Sequence, residues 1–299
     1  MRVSDNQRYN SVDTRINSSK SDNVKSMNEM ASQKRLTKIS DDPNAMSKLF
    51  GLRDRSKAMD QFQRNLDYAR GFISKSEASL TGIHESLMRA KELAVGMASD
   101  TYASDSREAA SREIKELISG IVAQANAKHG DRYVFSGFRT QTPSMGEDGQ
   151  YLGDDGEIFL EIAPQNFQRI NLTARELFET TAETRAEGHF GMIEALQLLY
   201  RGLNDNDKDS IRKAMTEMDY QMDKASSFQS TLGALTNSID VAEKRLAVDK
   251  ELILGDLSKI EDADMLDSTS RFKRSEALLQ STLMASNKML QPSLLNFMQ

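Results

Sequence analysis

The stretch Met59–Met97, MDQFQRNLDYARGFISKSEASLTGIHESLMRAKELAVGM, decides the architecture. Its apolar and small residues fall at Met59, Phe62, Leu66, Ala69, Ile73, Ser76, Leu80, Ile83, Leu87, Ala90, Ala94 and Met97, in steps that alternate three and four. That period, 3.5 residues, belongs to helices that wrap around partners. Charged residues such as Arg64, Asp67, Arg70, Lys75, Glu85 and Arg89 fill the remaining positions. Gly71, Gly82 and Gly96 each cost the helix about 1 kcal/mol against Ala, less than a packed seam supplies. A helix from about Asn44 to Ser99 is roughly 80 Å long. One narrow apolar stripe on so long a helix requires partner helices from elsewhere in the chain.

Working back from the seam, Lys38-Ile39-Ser40-Asp41-Asp42-Pro43-Asn44 reads as a helix break. Asp41 or Asp42 suits an N-cap, and Pro43 suits a first helical turn. Residues 1–35 carry sparse apolar positions, Tyr9, Val12, Ile16, Val24, Met27 and Met30, interrupted by Ser18, Ser19 and Ser21. Alone they bury too little to offset their ordering entropy. Two readings stand: a disordered tail, or a helix completed by a partner.

Working forward, Asp100–Ser104 reads as a turn, and a second helix starts near Asp105 with Glu108 completing a capping box. It carries Ala110, Ile114, Leu117, Ile121 and Ala125 and stops near His129-Gly130. The short turn implies an antiparallel helical hairpin. From Asp131 the chain turns aromatic and β-prone. Tyr151-Leu152, Gly153-Asp154-Asp155-Gly156, and then Ile158, Leu160 and Ile162 read as a hairpin about an Asp-Gly turn, with a further strand at Phe167, Ile170 and Leu172. Helices resume at Met192, Ile193, Leu196 and Leu199. The seam returns at Ile211, Met215, Met218, Met222 and Ala225, slips near Phe228, and continues through Leu232, Leu235, Ile239, Ala242 and Leu246. A last helix carries Phe272, Leu279, Leu283, Met284 and Leu290, followed by Pro292.

The fold expected is therefore mainly α: an elongated antiparallel coiled-coil rod formed by the N- and C-terminal halves, with a small β-rich inserted domain. Residues 1–40 and 255–299 are expected to be the terminal helical segments. Residues 41–130 and 188–254 make the helical core, and 131–187 the β-rich domain.

Composition agrees. The 299 residues include no Trp, four Pro and 6% aromatics, with 28% charged, which fits an extended helical protein. The absence of Cys excludes disulfides and thiol chemistry. A net charge of −6 makes nucleic acid a poor partner. The opening Met1-Arg2-Val3-Ser4-Asp5 leads into a polar stretch, and no run of about 18 apolar residues occurs, so secretion would need a route without a cleaved signal.

Signals of catalysis are thin. His84-Glu85 begins an H-E-x-x-H pattern, but Met88 stands where the second histidine belongs. Asp154, Asp155 and Glu157 lack the spacing of a calcium loop and suit turn chemistry. No phosphate loop or nucleophile elbow occurs. No catalytic, cofactor or metal residue is expected.

Several motifs together resemble the flagellin superfamily, and within it the hook–filament junction proteins. Ser40-Asp41-Asp42-Pro43-Asn44-Ala45 resembles the family's break after its first helix, and Gln61–Leu66 with Leu80-Thr81-Gly82-Ile83 its long core helix. Asn126–Gly137, ending Tyr133-Val134-Phe135-Ser136-Gly137, resembles the junction proteins' exit into their variable domain. Ile260–Met265 and Gln291–Phe297 resemble the terminal helix signature. One departure is local: the family usually has a Thr-Gly or Ser-Gly pair where this chain has Ser32-Gln33 before Lys34-Arg35.

The resemblance implies a non-enzymatic subunit of the bacterial flagellum, extracellular, exported by the flagellar type III system. Its expected partners are hook-associated protein 1, flagellin, further copies of itself in a ring-like layer, and an export chaperone on its C-terminal helix. It needs no cofactor, nucleic acid or membrane. Weakly apolar ends that order with neighbours suit such a subunit. The assembly residues expected are Val12, Ile16, Val24, Met27, Leu279, Leu283, Leu290, Leu294, Leu295 and Phe297, with the helix break at Asp41, Asp42 and Pro43. A filament flagellin is the nearest alternative, and a cytoplasmic coiled-coil adaptor a more distant one.

Overall fold

A computed structural model describes residues 2–99 and 102–290. Eight helices and four short strands follow in order: α1 (Arg2–Ser32), α2 (Pro43–Met97), α3 (Ser104–Ala125), β1 (Lys128–His129), β2 (Arg132–Tyr133), β3 (Phe159–Ala163), β4 (Asn166–Arg169), α4 (Ala174–Phe178), α5 (Ala182–Ala186), α6 (Met192–Asn204), α7 (Lys208–Glu261) and α8 (Met265–Leu290). The fold is mainly α, with two small antiparallel hairpins. The chain forms two compact units, residues 59–247 and residues 1–58 with 248–299.

In the 59–247 unit the seam of α2 is the core. Leu66, Ala69, Ile73, Ser76, Leu80, Ile83, Leu87, Ala90 and Ala94 are all buried. They share that core with Ile114 and Ile121 of α3 and with Ile211, Met218, Leu232 and Ile239 of α7. Cross-links fix the direction of the pairing. Arg70 bonds Asp240 at 2.6 Å and Glu243 at 2.5 Å, Glu77 accepts from Thr236 at 2.9 Å, and Lys91 pairs with Asp219. Numbers rise along α2 as they fall along α7, so the helices are antiparallel. Arg89 reaches Glu113 of α3 at 2.6 Å, which closes the expected helical hairpin. Gly71 has a packing reason: a Cβ there would stand 2.6 Å from the His129 ring.

Three local expectations are corrected. The capping box at Asp105 and Glu108 is not formed: Ala103 is the N-cap of α3 and makes no side-chain bond. The helix ends at Ala125, short of His129, because Asn126 is recruited elsewhere. Its amide donates to the Met145 carbonyl at 2.8 Å and its oxygen accepts from the Met145 N–H at 2.9 Å. His129 and Gly130 instead belong to a tiny hairpin, β1 with β2, where Gly130 takes φ +58.

The expected hairpin about Gly153-Asp154-Asp155-Gly156 is displaced. Tyr151 bridges to Met145, and the true hairpin joins β3 to β4, with Phe159 opposite Arg169 and Glu161 opposite Phe167. Asp154 does not serve a two-residue turn. Its carboxylate accepts the N–H of Phe138 at 2.6 Å and of Gly156 at 3.0 Å, while Gly137, at φ +67, brings its backbone against Asp154. The Gly156 bond makes a local Asx-turn, and the Phe138 bond ties that turn to the exit from the helical core rather than to a strand pair. Asn171 fixes the register instead: its oxygen accepts from Ile158 N at 2.7 Å and its amide donates to Gly156 O at 2.8 Å.

In the other unit, Leu36, Met46 and Leu49 form a small core with Ala45, Leu257 and Ile260. Asp42 caps α2 by accepting from the N–H groups of Asn44 and Ala45 at 3.0 Å each, and Pro43 is the first helical residue. The α1 segment is helical and lies beside α8.

Candidate assembly interface

The α1–α8 pair has an unusual polarity. A helix pair normally buries its apolar stripe between the helices. On α1 the positions facing inward include Val12 and Ile16, but then Ser19, Asn23, Ser26 and Glu29. On α8 they are Ser268, Phe272, Ser275, Leu279, Thr282 and Ser286. Hydroxyls and amides thus meet in the seam: Ser19 bonds Thr282 at 3.4 Å and the Asn23 amide donates to Ser275 at 3.3 Å. Glu29, buried to 8% exposure, faces Arg271 at 3.7 Å. These contacts rise on α1 as they fall on α8, so this pair too is antiparallel.

Val12, Ile16, Phe272 and Leu279 share that seam, and other apolar side chains lie outside. Val24 is 43% exposed, Met27 45%, Leu278 53%, Leu283 43% and Met284 65%. Covering the half of one such side chain that is still exposed is worth about 1 kcal/mol. Covering all five is of the same order as the ~4–15 kcal/mol that association costs. A single contact on this face is therefore marginal, while repeated contacts among many copies are not.

The residues expected from sequence divide accordingly. Val12 is buried, and Ile16 and Leu279 are half-buried on the seam side. Val24, Met27 and Leu283 are on the outer face. The Leu290 side chain and Leu294, Leu295 and Phe297 lie outside the described residues. Leu278 was missed, although its place one residue before Leu279 put it on the adjoining helical face.

The helix break and the α7–α8 turn are tied to each other. Arg35 N–H donates to Glu261 O at 2.8 Å and Ala263 N–H to Gln33 O at 2.9 Å. The Glu261 carboxylate, nearly buried, holds Arg53 at 2.6 Å and also pairs with Lys34. Asp41 accepts from Lys38 N–H at 3.0 Å and Thr37 N–H at 3.2 Å and pairs with Lys25 at 3.3 Å. The Lys38 amide foremost, with the Thr37 amide and Lys25 assisting, holds its carboxyl below the usual aspartate range. Sequence reading singled out Asp41 and Asp42 here and missed Glu261 as the anchor.

The acidic residues of the insert serve structure. Asp155 pairs with Arg175 at 2.6 Å and Glu157 with Arg169 at 2.8 Å, each turned to a different partner. Burial foremost pushes the Tyr151 phenol up, and its hydroxyl donates to the Asp154 carbonyl. Among the described residues no helix is long and apolar enough to cross a membrane.

With this geometry established, comparison with known proteins is specific. Residues 3–140 match the bacterial flagellin N-terminal helical region and residues 215–298 the bacterial flagellin C-terminal helical region. A flagellar hook-associated protein 3 of Escherichia coli is 26% identical over 182 residues, 60% of this chain and 57% of that one. The match thus spans little more than half of that relative's length. A flagellin of Halalkalibacterium halodurans is 23% identical over 86% of this chain and 84% of its own. A flagellar hook-associated protein of Vibrio parahaemolyticus shares the fold, with a TM-score of 0.68 over 74% of this chain and all of that one, at 19% identity. The two family matches together span well over half the chain, one on each side of the insert. The chain belongs to the bacterial flagellin family, a family of structural flagellar proteins rather than enzymes.

Proposed function

We propose that this chain is a hook–filament junction subunit: a structural protein that links the flagellar hook, through hook-associated protein 1, to the flagellin filament. The observation that carries the reading is the mixed polarity of the α1–α8 pair, with hydroxyls among the seam residues and Val24, Met27, Leu278, Leu283 and Met284 outside. Such a pair is weakly held alone and gains most of its apolar burial from neighbours. The terminal segments, 1–40 and 255–299, act as the assembly part and order as copies stack into a layer. Relatives named hook-associated protein 3, and the Asn126–Gly137 exit with Val134, Phe135 and Ser136 all buried, favour a junction over a filament subunit.

Export proceeds by the flagellar type III route, with a chaperone on the C-terminal helix until release. A chain without Cys forms no disulfide that could obstruct unfolded passage. The deciding experiment is electron microscopy of cells lacking the gene. Complete hooks without filaments, with flagellin shed into the medium, are expected. Filaments of normal length on those cells overturn the reading. Long filaments grown from the purified chain alone favour the filament-flagellin alternative, which the near full-length match to flagellins supports.

A further inference from the structure

Two surfaces of the unit formed by residues 1–58 and 248–299 are complementary. The first is a groove of about 380 Å³ between the start of α2 and the end of α7. Its floor is Gly51 with half-buried Leu52 and Ile260. Its rim is basic: Lys48, Arg55 and Lys259, against one acid, Asp256, which pairs with Lys259 at 3.1 Å. Lys48 and Arg55 have no ion pair among the described residues. A Cβ at Gly51 would meet nothing within 4 Å, as at Gly96, Gly120, Gly233 and Gly255, so the groove is open to a side chain from outside at this point.

The second surface is the first turn of α8. Leu266 is 85% exposed and Met265 beside it 42%. Asp264 fixes their presentation, its carboxylate accepting from Leu266 N–H at 2.8 Å and Asp267 N–H at 3.3 Å. Carboxylates surround the leucine: Asp262, Asp264 and Asp267, the last paired with Arg271. The same unit thus carries an apolar knob flanked by acids and an apolar groove with a basic rim. The knob's own exposure shows that it does not fill the groove of its own chain.

We propose that Leu266 of one copy seats in the Gly51 groove of the next, with Lys48 and Arg55 facing the acidic collar. The occupant is a second copy because this chain itself carries both the charge and the shape the groove complements. Knob and groove are different surfaces, so the contact is heterologous and repeats from copy to copy. The proposal rests on the reading of the chain as an assembling flagellar subunit, and names the contact that sets the spacing between copies.

The chain has no native cysteine, so paired cysteines report this contact alone. Flagella would be isolated from cells whose only copy carries Gly51→Cys with Leu266→Cys, oxidised, and immunoblotted without reductant. A ladder of dimers and higher multimers is expected, absent from either single variant. The pair Lys48→Cys with Met265→Cys tests the same contact with Gly51 intact. Attached filaments and normal motility with no ladder from either pair overturn the proposal and leave the junction reading standing. Absence of the wild-type chain from isolated flagella overturns both.

Discussion

Gln33 and Ala263 are joined by a hydrogen bond from the Ala263 N–H to the Gln33 carbonyl, 2.9 Å long, and Gln33 makes it from a left-handed backbone conformation, φ +57. The departure noted in the sequence, Gln33 where the family resemblance leads one to expect glycine, therefore has a conformational cost. A side chain in that region costs about 1–2 kcal/mol, part of which a glycine returns through the freedom it adds to the unfolded chain. Gln33→Gly should therefore stabilise the junction by about 0.5–1 kcal/mol, and Gln33→Val should destabilise it by more than 1 kcal/mol. Hydrogen exchange at the Arg35 and Ala263 amides checks this. Protection should rise about three-fold in the glycine variant and fall in the valine variant.

Arg107 organises the other unit. Its guanidinium is 3% exposed and donates to the Met97 carbonyl at 2.9 Å, the Ser99 carbonyl at 2.8 Å and the Asn206 side chain at 2.5 Å. One residue thereby closes the end of α2, the α2–α3 turn and the loop before α7. Arg107→Met should cost about 3–4 kcal/mol, because three acceptors lose charge-assisted donors inside a packed corner. Arg107→Lys should recover part of that, since a single ammonium cannot span three acceptors. Thermal denaturation followed by circular dichroism gives the measurement, and an unchanged midpoint for Arg107→Met contradicts the account.

The exit from the insert is held by a side-chain clamp on both backbone groups of one residue, Phe190. Glu217 accepts the Phe190 N–H at 3.1 Å and the Gln221 amide donates to the Phe190 carbonyl at 2.7 Å, while His189 stacks on Tyr220 with ring centroids 3.9 Å apart. Replacing both Glu217 and Gln221 with Ala removes about 2 kcal/mol of local stability. Chymotryptic cleavage after Phe190 should then accelerate by about 30-fold. Gln at position 217 keeps an acceptor and should leave the rate near that of the wild type.

Asp41 makes the helix break acid-sensitive. Its carboxyl titrates below its ordinary value, held there first by the Lys38 amide and then by the Thr37 amide and Lys25. A depressed folded pKa means that its contribution is fully present above the unfolded aspartate value, about 3.9, and is lost as the pH falls through the folded pKa. Stability of the segment around residues 33–42 should therefore be flat from neutral pH to about 5 and decline below about 4. Asp41→Asn should flatten that acid limb. Exchange protection at Lys38 across this range tests the sign, and an identical acid limb in the variant rules Asp41 out as its source.

What could be read from the sequence follows how local each signal is. The α2 seam was legible because twelve residues repeat one period, and Leu66 through Ala94 are buried as that period requires. The β hairpin was misread because Asp-Gly is a local turn signal, whereas Asn171 and Asn126 set the insert's register through partners 13 to 19 residues away. The capping box failed for the same reason, since Ala103 took the N-cap by backbone geometry alone. In α1 the interior runs from Val12 and Ile16 to Ser19, Asn23, Ser26 and Glu29, and hydropathy assigns the last four to solvent. No scale could have shown that Val12 lies inside while Val24 lies outside.

That inversion gives the last prediction its form. Leu283 is 43% exposed on α8, and Ser286 one turn on is buried to 6%. In a protein whose stability came from its leucines, Leu283→Asp would unfold the helix pair. Here the substitution places a carboxylate where water already reaches, at a cost to the isolated chain within about 0.5 kcal/mol. The same carboxylate buried against a neighbouring copy would be unpaired and cost several kcal/mol. Leu283→Asp should therefore keep the wild-type circular dichroism and melting curve yet fail to incorporate into the flagellum. Ser286→Leu forms the contrast: it adds apolar bulk to a hydroxyl seam, and should alter the isolated pair before it alters assembly. If Leu283→Asp instead loses its helicity, Leu283 belongs to the chain's own core and the outward-facing surface has been misassigned.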